Sequence, residues 1–206
     1  MRLAALFIMI AFSSCSFSDK EEEEQTIADS LIADTTVFME PHGMAGKTYV
    51  TDCPCLVNGF LIDPDTTGTY IRNAPKGEVI DTIYRSEPYT GIEVALGDGK
   101  WLQVSRVFDY DETDYAASRG GWIFGQLVGV DTRNYGGAIL KLYGEPTKGS
   151  DIVSVIPGEM IYAHSPMIMD CCEDWAYIYV RDTLGNEYEG WLEPEMQCSN
   201  PVTTCP

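Results

Sequence analysis

The chain has 206 residues, 45% of them hydrophobic, and its 32 acidic and 13 basic side chains give a net charge of −19. That excess argues against nucleic-acid partners and against anionic lipid head groups, both of which need Lys and Arg. It leaves basic partners, cations or plain solubility as its uses.

In chain order, Met1-Arg2 supplies one positive charge, Leu3–Phe12 is an unbroken apolar run, and Ser13-Ser14 leads into Cys15. A charged start, a short apolar core and small residues predict a secretory signal peptide over residues 1–14, too short to span a bilayer. Ending on a cysteine rather than on Ala-x-Ala, it resembles a lipoprotein signal, and that resemblance implies acylation of Cys15. The competing reading is an ordinary signal peptide with Cys15 incidental. Cleavage would remove Arg2 and no acid, taking the charge from −19 to −20.

Residues 15–46 read as a tether. Ser16 to Glu24 is polar and closes on four consecutive glutamates. Like charges repel and nothing there buries apolar area, so the segment is expected to be solvated and disordered. It resembles the acidic tract behind the lipidated cysteine in surface-directed lipoproteins of Bacteroidetes-type bacteria. The implied location is the outer membrane, on its periplasmic or cell-surface face, held by the lipid anchor. Thr26–Ala33 could form a short helix, which Pro41-His42-Gly43 would break.

From Lys47 onward, runs rich in Val, Ile, Tyr and Trp alternate with Gly, Pro, Asn and Asp clusters, the pattern of an all-β barrel or sandwich. Strands are expected at Thr48–Val50, Tyr70–Arg72, Val79–Tyr84, Trp101–Val107, Trp122–Val128, Ile139–Tyr143, Ile152–Ile156, Trp175–Arg181 and Gly190–Leu192. Asp63-Pro64-Asp65-Thr66-Thr67-Gly68 reads as a turn.

An internal repeat organises these strands. Tyr70-Ile71-Arg72, Pro75, Glu78-Val79-Ile80-Asp81-Thr82-Ile83, Trp101 and Gly121-Trp122-Ile123 recur as Lys141-Leu142-Tyr143, Pro146, Asp151-Ile152-Val153-Ser154-Val155-Ile156, Trp175 and Gly190-Trp191-Leu192. All four tryptophans fall in matching slots. Trp101 to Trp122 spans 21 positions and Trp175 to Trp191 only 16, so Phe108–Arg119 reads as an insertion.

This order resembles the bacterial SH3-like (SH3b) domain. Ile71-Arg72 with Pro75, Val79-Ile80 with Ile83, Trp101 with Val104, and Gly121-Trp122-Ile123 match its motifs, while Tyr70 and Asp81 replace its usual Asn and Gly. The second repeat has Lys141-Leu142 in place of Val-Arg but keeps Pro146, Ile152-Val153, Trp175 and Gly190-Trp191. The implied architecture is two tandem small SH3-like barrels, residues 47–132 and 133–206. Each barrel alone is marginal in size, so packing together and cross-linking make physical sense.

Of seven cysteines, six remain once Cys15 is set aside: Cys53, Cys55, Cys171, Cys172, Cys198 and Cys205. An even number in an exported chain reads as a disulfide framework. Cys198 and Cys205 are the easiest pair to close, whereas Cys53-Pro54-Cys55 and Cys171-Cys172 are awkward to close on themselves and favour longer-range bonds. Zinc is the rival reading, disfavoured by only two histidines and no C-x2-C pair.

No catalytic constellation is legible, and no cofactor or metal is expected. His42 and His164 lack a recognisable catalytic setting, and His164 reads as a loop residue. Asp109-Tyr110-Asp111-Glu112-Thr113-Asp114 could offer oxygen ligands to calcium but lacks the EF-hand glycine and terminal glutamate spacing; a solvated insertion is the simpler reading. In SH3-like barrels an aromatic groove takes peptides, and the resemblance implies Tyr70, Tyr84, Tyr89 and Tyr110 as its candidates, with the four tryptophans as core. The expected function is therefore a non-enzymatic envelope lipoprotein that binds a peptide or protein, peptidoglycan stem peptide being one option. The alternative is an accessory subunit packed permanently on an envelope protein.

Overall fold

The computed structural model describes residues 53–202, except 116, 117 and 159. Cys15, the tether, the helix expected at Thr26–Ala33, His42, the strand expected at Thr48–Val50 and Cys205 lie outside the described residues. The described residues all belong to one compact unit.

The described residues are all-β. In chain order the strands are β1 (Asn58–Leu61), β2 (Thr69–Arg72), β3 (Val79–Ile83), β4 (Thr90–Asp98), β5 (Trp101–Asp109), β6 (Trp122–Phe124), β7 (Val128–Gly129), β8 (Asp131–Thr132), β9 (Leu140–Tyr143), β10 (Ile152–Ile156), β11 (Met167–Cys172), β12 (Trp175–Arg181), β13 (Glu187–Leu192) and β14 (Gln197–Cys198). Twelve of them build one antiparallel sheet in the order β10-β9-β13-β12-β11-β7-β1-β4-β5-β6-β2-β3, and β8 pairs with β14 separately. The expected strand Trp122–Val128 is split into β6 and β7 by a 3-10 turn at Gly125–Leu127.

The repeat survives as topology. Strands β3-β2-β6-β5-β4 stand in the same order as β10-β9-β13-β12-β11. Even the irregularities match: one bulge lies between Ile71 and Arg72 opposite β3, and its counterpart lies between Ile152 and Ser154 in β10. The Gly-Trp motif has a steric cause. A Cβ on Gly121 would strike Ile71 and come within 3.2 Å of Ile80; one on Gly190 would come within 2.8 Å of Leu142 and 2.9 Å of Val153. These are equivalent positions, so in both halves only glycine lets the last strand cross close over the first two.

Between the halves, β1 and β7 act as a seam, with β1 paired to β4 and β7, and β7 to β11. The core runs through this seam without a break: Ile71, Ile92, Leu102, Val104 and Ile123 on one side and Leu140, Leu142, Ile168, Ile178 and Leu192 on the other are all fully buried. The two halves differ on the opposite face of the sheet. Trp175, Tyr177 and Tyr179 alternate with Ala176, Ile178 and Val180, and all six are buried. Edge-on pairs Tyr143–Trp175 and Tyr177–Trp191, with ring centroids 5.5 and 5.4 Å apart, fill that second face. The equivalent residues of β5, Trp101, Gln103 and Ser105, are half-buried or exposed.

Two disulfides tie the entry segment of the first half to the second. Cys53 pairs with Cys172 and Cys55 with Cys171, with Cα–Cα distances of 5.1 and 5.5 Å. The longer-range pairing expected of these cysteines is the one observed. Backbone bonds brace the cross-link on both sides: Cys55 N–H donates to Ala95 O, Leu56 N–H to Glu173 O, and Glu173 N–H to Pro54 O. Cys198 is also disulfide-bonded.

The β12–β13 tip is organised by one carboxylate. Asp182 Oδ1 accepts the N–H groups of Leu184 and Asn186 at 2.9 and 2.8 Å, and Oδ2 accepts from Asn186 Nδ2 at 2.8 Å. The Asn186 side-chain bond is the main reason that the Asp182 carboxyl titrates below its usual range. A carboxyl lowered on folding adds stability above its unfolded value near 3.9, and this is lost as pH falls through the folded value. Asp182→Asn should therefore show a shallower loss of melting temperature than the parent chain between pH 5 and pH 2. Parallel curves would remove Asp182 from the acid response.

Candidate binding surface

The tyrosines singled out from the sequence fall into two groups. Tyr70 and Tyr84 lie on the outer face of β2 and just beyond β3, 49% and 62% exposed. Their neighbours on the inner face, Thr69, Ile71 and Ile83, are buried, so strand alternation presents the tyrosines to solvent. Tyr70 sits opposite Thr82 in the ladder, two residues before Tyr84. The Tyr84 ring rests over Gly68, where a Cβ would come within 3.0 Å of it. Gly68 has φ +114°, a conformation that other residues rarely adopt.

The turn leading into β2 is held rigidly by its own side chains. Buried Asp63 accepts the Asp65 N–H at 2.9 Å and the Thr69 hydroxyl at 2.6 Å. Asp65 Oδ1 accepts the Thr67 N–H and hydroxyl, both at 2.8 Å, and the backbone bond leads in lowering its carboxyl below the usual range. Beyond Tyr84, hydroxyls close the loop: Ser86 Oγ donates to Tyr89 O at 2.8 Å, and Thr90 Oγ1 accepts the Ser86 N–H at 2.7 Å. The Glu87–Pro88 bond in this loop is cis.

Tyr89 and Tyr110 form the second group. Tyr89 is 7% exposed, packs edge-on against Phe108 and Tyr110, and its hydroxyl accepts from Asn200 Nδ2 at 3.3 Å. Burial first, then the charges of Glu112 and Tyr110, raises its phenol above the ordinary value. Tyr110 is exposed at the end of β5. Tyr89 is thus a supporting residue, and Tyr70, Tyr84 and Tyr110 are the ones a ligand can reach.

In the acidic insertion, arginines pair with Glu112 and Asp114. Arg106 reaches Glu93 at 3.2 Å, Glu112 at 3.0 Å and Asp114 at 3.7 Å, while Arg119 also pairs with Asp114. The Arg106 guanidinium lies 4.5 Å from the Phe108 ring centroid. Asp109 Oδ1 accepts the Thr113 N–H at 2.9 Å, which shapes the turn. These carboxylates face arginines and backbone; among the described residues no group of His, Cys, Asp and Glu is arranged to hold a metal ion.

His164 stacks on Tyr179 with centroids 6.5 Å apart, and its Nδ1 lies 3.0 Å from Ser165 O. Desolvation, followed by the Glu187 carboxylate, pushes the Tyr179 phenol up to about 12. Tyr179, buried in β12, therefore keeps its proton at ordinary pH. Of the tryptophans, Trp175 and Trp191 are buried and Trp101 and Trp122 half-buried. A scan against known protein families finds no match to this chain, and a search of characterised proteins finds none either.

Proposed function

We propose that this chain is a non-enzymatic, lipid-anchored envelope protein whose two halves are SH3-like barrels and whose first half binds a peptide. The observation that carries the reading is the pair Tyr70 and Tyr84, 49% and 62% exposed on one sheet face, with the Tyr84 ring over Gly68. Two large, stiff aromatic surfaces with polar tips supply contact area at little entropic cost. The second half has Lys141 and Pro157 where the first has Tyr70 and Tyr84, so the ligand surface belongs to one half only. The lipobox-like start at Cys15 supports the anchor, and the acidic tract behind it supports the surface-directed address.

Purified sacculi incubated with the chain at low and at physiological salt test the reading. Retention at both salts, lost in Tyr70→Ala/Tyr84→Ala, is the expected result. Tyr89→Ala is unsuitable as a probe because it removes a buried support. No retention at either salt would reject a wall-peptide ligand and favour permanent packing on a partner protein. That second reading has its own support in Ile161 and Leu184, two strongly exposed apolar residues brought together where Thr183 N–H donates to Ile161 O.

A further inference from the structure

The sheet ends in two equivalent strands, β3 and β10, each with one side unpaired within the sheet. An open edge offers a row of free N–H and C=O groups, and natural proteins protect such edges with charge. In the first half Asp81 does this. Its Oδ1 accepts the Thr82 N–H at 2.8 Å and its Oδ2 accepts the Ser118 hydroxyl at 2.7 Å, so the carboxylate lies locked along the edge. In the repeat, Asp81 corresponds to Ser154 and Thr82 to Val155, and the registers agree: Thr82 faces Tyr70 as Val155 faces Lys141. A serine in that slot brings no charge to the Val155 N–H. Around it stand Ile152, Val153 and Val155, exposed by 48, 57 and 49%.

We propose that β10 is a strand-addition site for an extended segment of another protein, rich in β-branched residues and flanked by Lys or Arg. Backbone bonds to the open edge would provide affinity, and alternate side chains would cover Val153 and Val155. The charge of the chain selects the occupant: at −19, a second copy is repelled and a cationic segment is drawn in. Five residues of edge also bury too little for a self-sufficient dimer, which needs on the order of 1,200 Å2. This site is separate from the tyrosine face and stands without it.

The test uses the full chain and a synthetic peptide, Lys-Lys-Val-Thr-Val-Thr-Val-Lys-Lys, with deuterium uptake followed at 152–156. The peptide should bind saturably and slow uptake there, and Ser154→Asp, which restores the carboxylate of the first half, should weaken binding at least about tenfold. The same peptide N-methylated at alternate amides keeps its side chains and charge but loses the ladder bonds. It should not bind, a result independent of whether the variant folds. Unchanged uptake with the parent peptide, equal binding by Ser154→Asp or by the N-methylated peptide, or protection that grows with protein concentration alone would each overturn the proposal; the last would assign the edge to a second copy.

Discussion

Removing both inter-half disulfides is expected to cost far more than the sum of removing each alone. Cys53–Cys172 and Cys55–Cys171 close nearly the same loop, with sequence separations of 119 and 116. Whichever bridge is present pays the entropy of closing that long loop. The other then closes only a small ring through Cys53, Pro54, Cys55, Cys171 and Cys172. In the chain-entropy account the long loop is worth about 5 kcal/mol and a ring of about five residues about 2 kcal/mol. Cys53→Ala/Cys172→Ala should therefore cost about 2 kcal/mol, and Cys55→Ala/Cys171→Ala somewhat more because both of those sulfurs are buried. The fourfold variant should lose about 7 kcal/mol, a coupling of about 3 kcal/mol beyond additivity. Against total stabilities of roughly 5–15 kcal/mol, the single-bridge variants stay folded while the fourfold variant approaches unfolding. Denaturant midpoints of the four proteins measure this. Additive losses would show that the bridges constrain the unfolded chain independently.

The repeat was legible because its signature residues have steric jobs. Gly121 and Gly190 are required by the same two neighbours in each half, and the tryptophans that follow them mark the same strand. The cysteine pairing could be narrowed for a related reason: adjacent or Pro-separated cysteines close poorly on themselves, so distant partners were implied. Strands β4 and β11 were harder to read. Gly91 and Gly97 resemble strand breakers, yet a Cβ at Gly91 would strike the ring of its cross-strand partner Phe108 and one at Gly97 the Asp170 carboxylate of the second half, so both glycines are dictated by packing beyond their own strand. Strand β11 carries buried Asp170, whose Oδ1 accepts the Cys171 N–H, a residue type that argues against a core strand until its partner is seen. At the candidate surface, Tyr89 could not be separated from Tyr70 and Tyr84 by composition. What buries it comes from β5 and from Asn200, more than a hundred residues away. The contrast between Asp81 and Ser154 was present in the aligned repeats, but its meaning needed the hydrogen bond to Thr82.

The continuity of the core predicts how the chain unfolds. Ile168 is fully buried in β11, opposite Ile178, and its Cδ1 lies 2.9 Å from where a Cβ on Gly59 would stand. Gly59 belongs to β1, so Ile168 touches the strand that joins the halves. Near it, Val130 N–H donates to Pro166 O at 2.9 Å and Met167 pairs with Gly129, fastening the start of β11 to the seam. Ile168→Ala removes buried methyl groups where neither half can collapse inward without dragging the other. The expected cost is about 2–5 kcal/mol, with the melting temperature falling by roughly 2–4 °C per kcal/mol. The transition should remain single, with tryptophan fluorescence and far-ultraviolet circular dichroism coincident, because Trp101 and Trp122 report one half and Trp175 and Trp191 the other. If the halves were independent barrels, the variant would melt in two steps, with β9–β13 lost first and β2–β6 at the parent temperature. Coincident probes would establish that the disulfides and the seam make one cooperative unit from two repeats, each marginal alone.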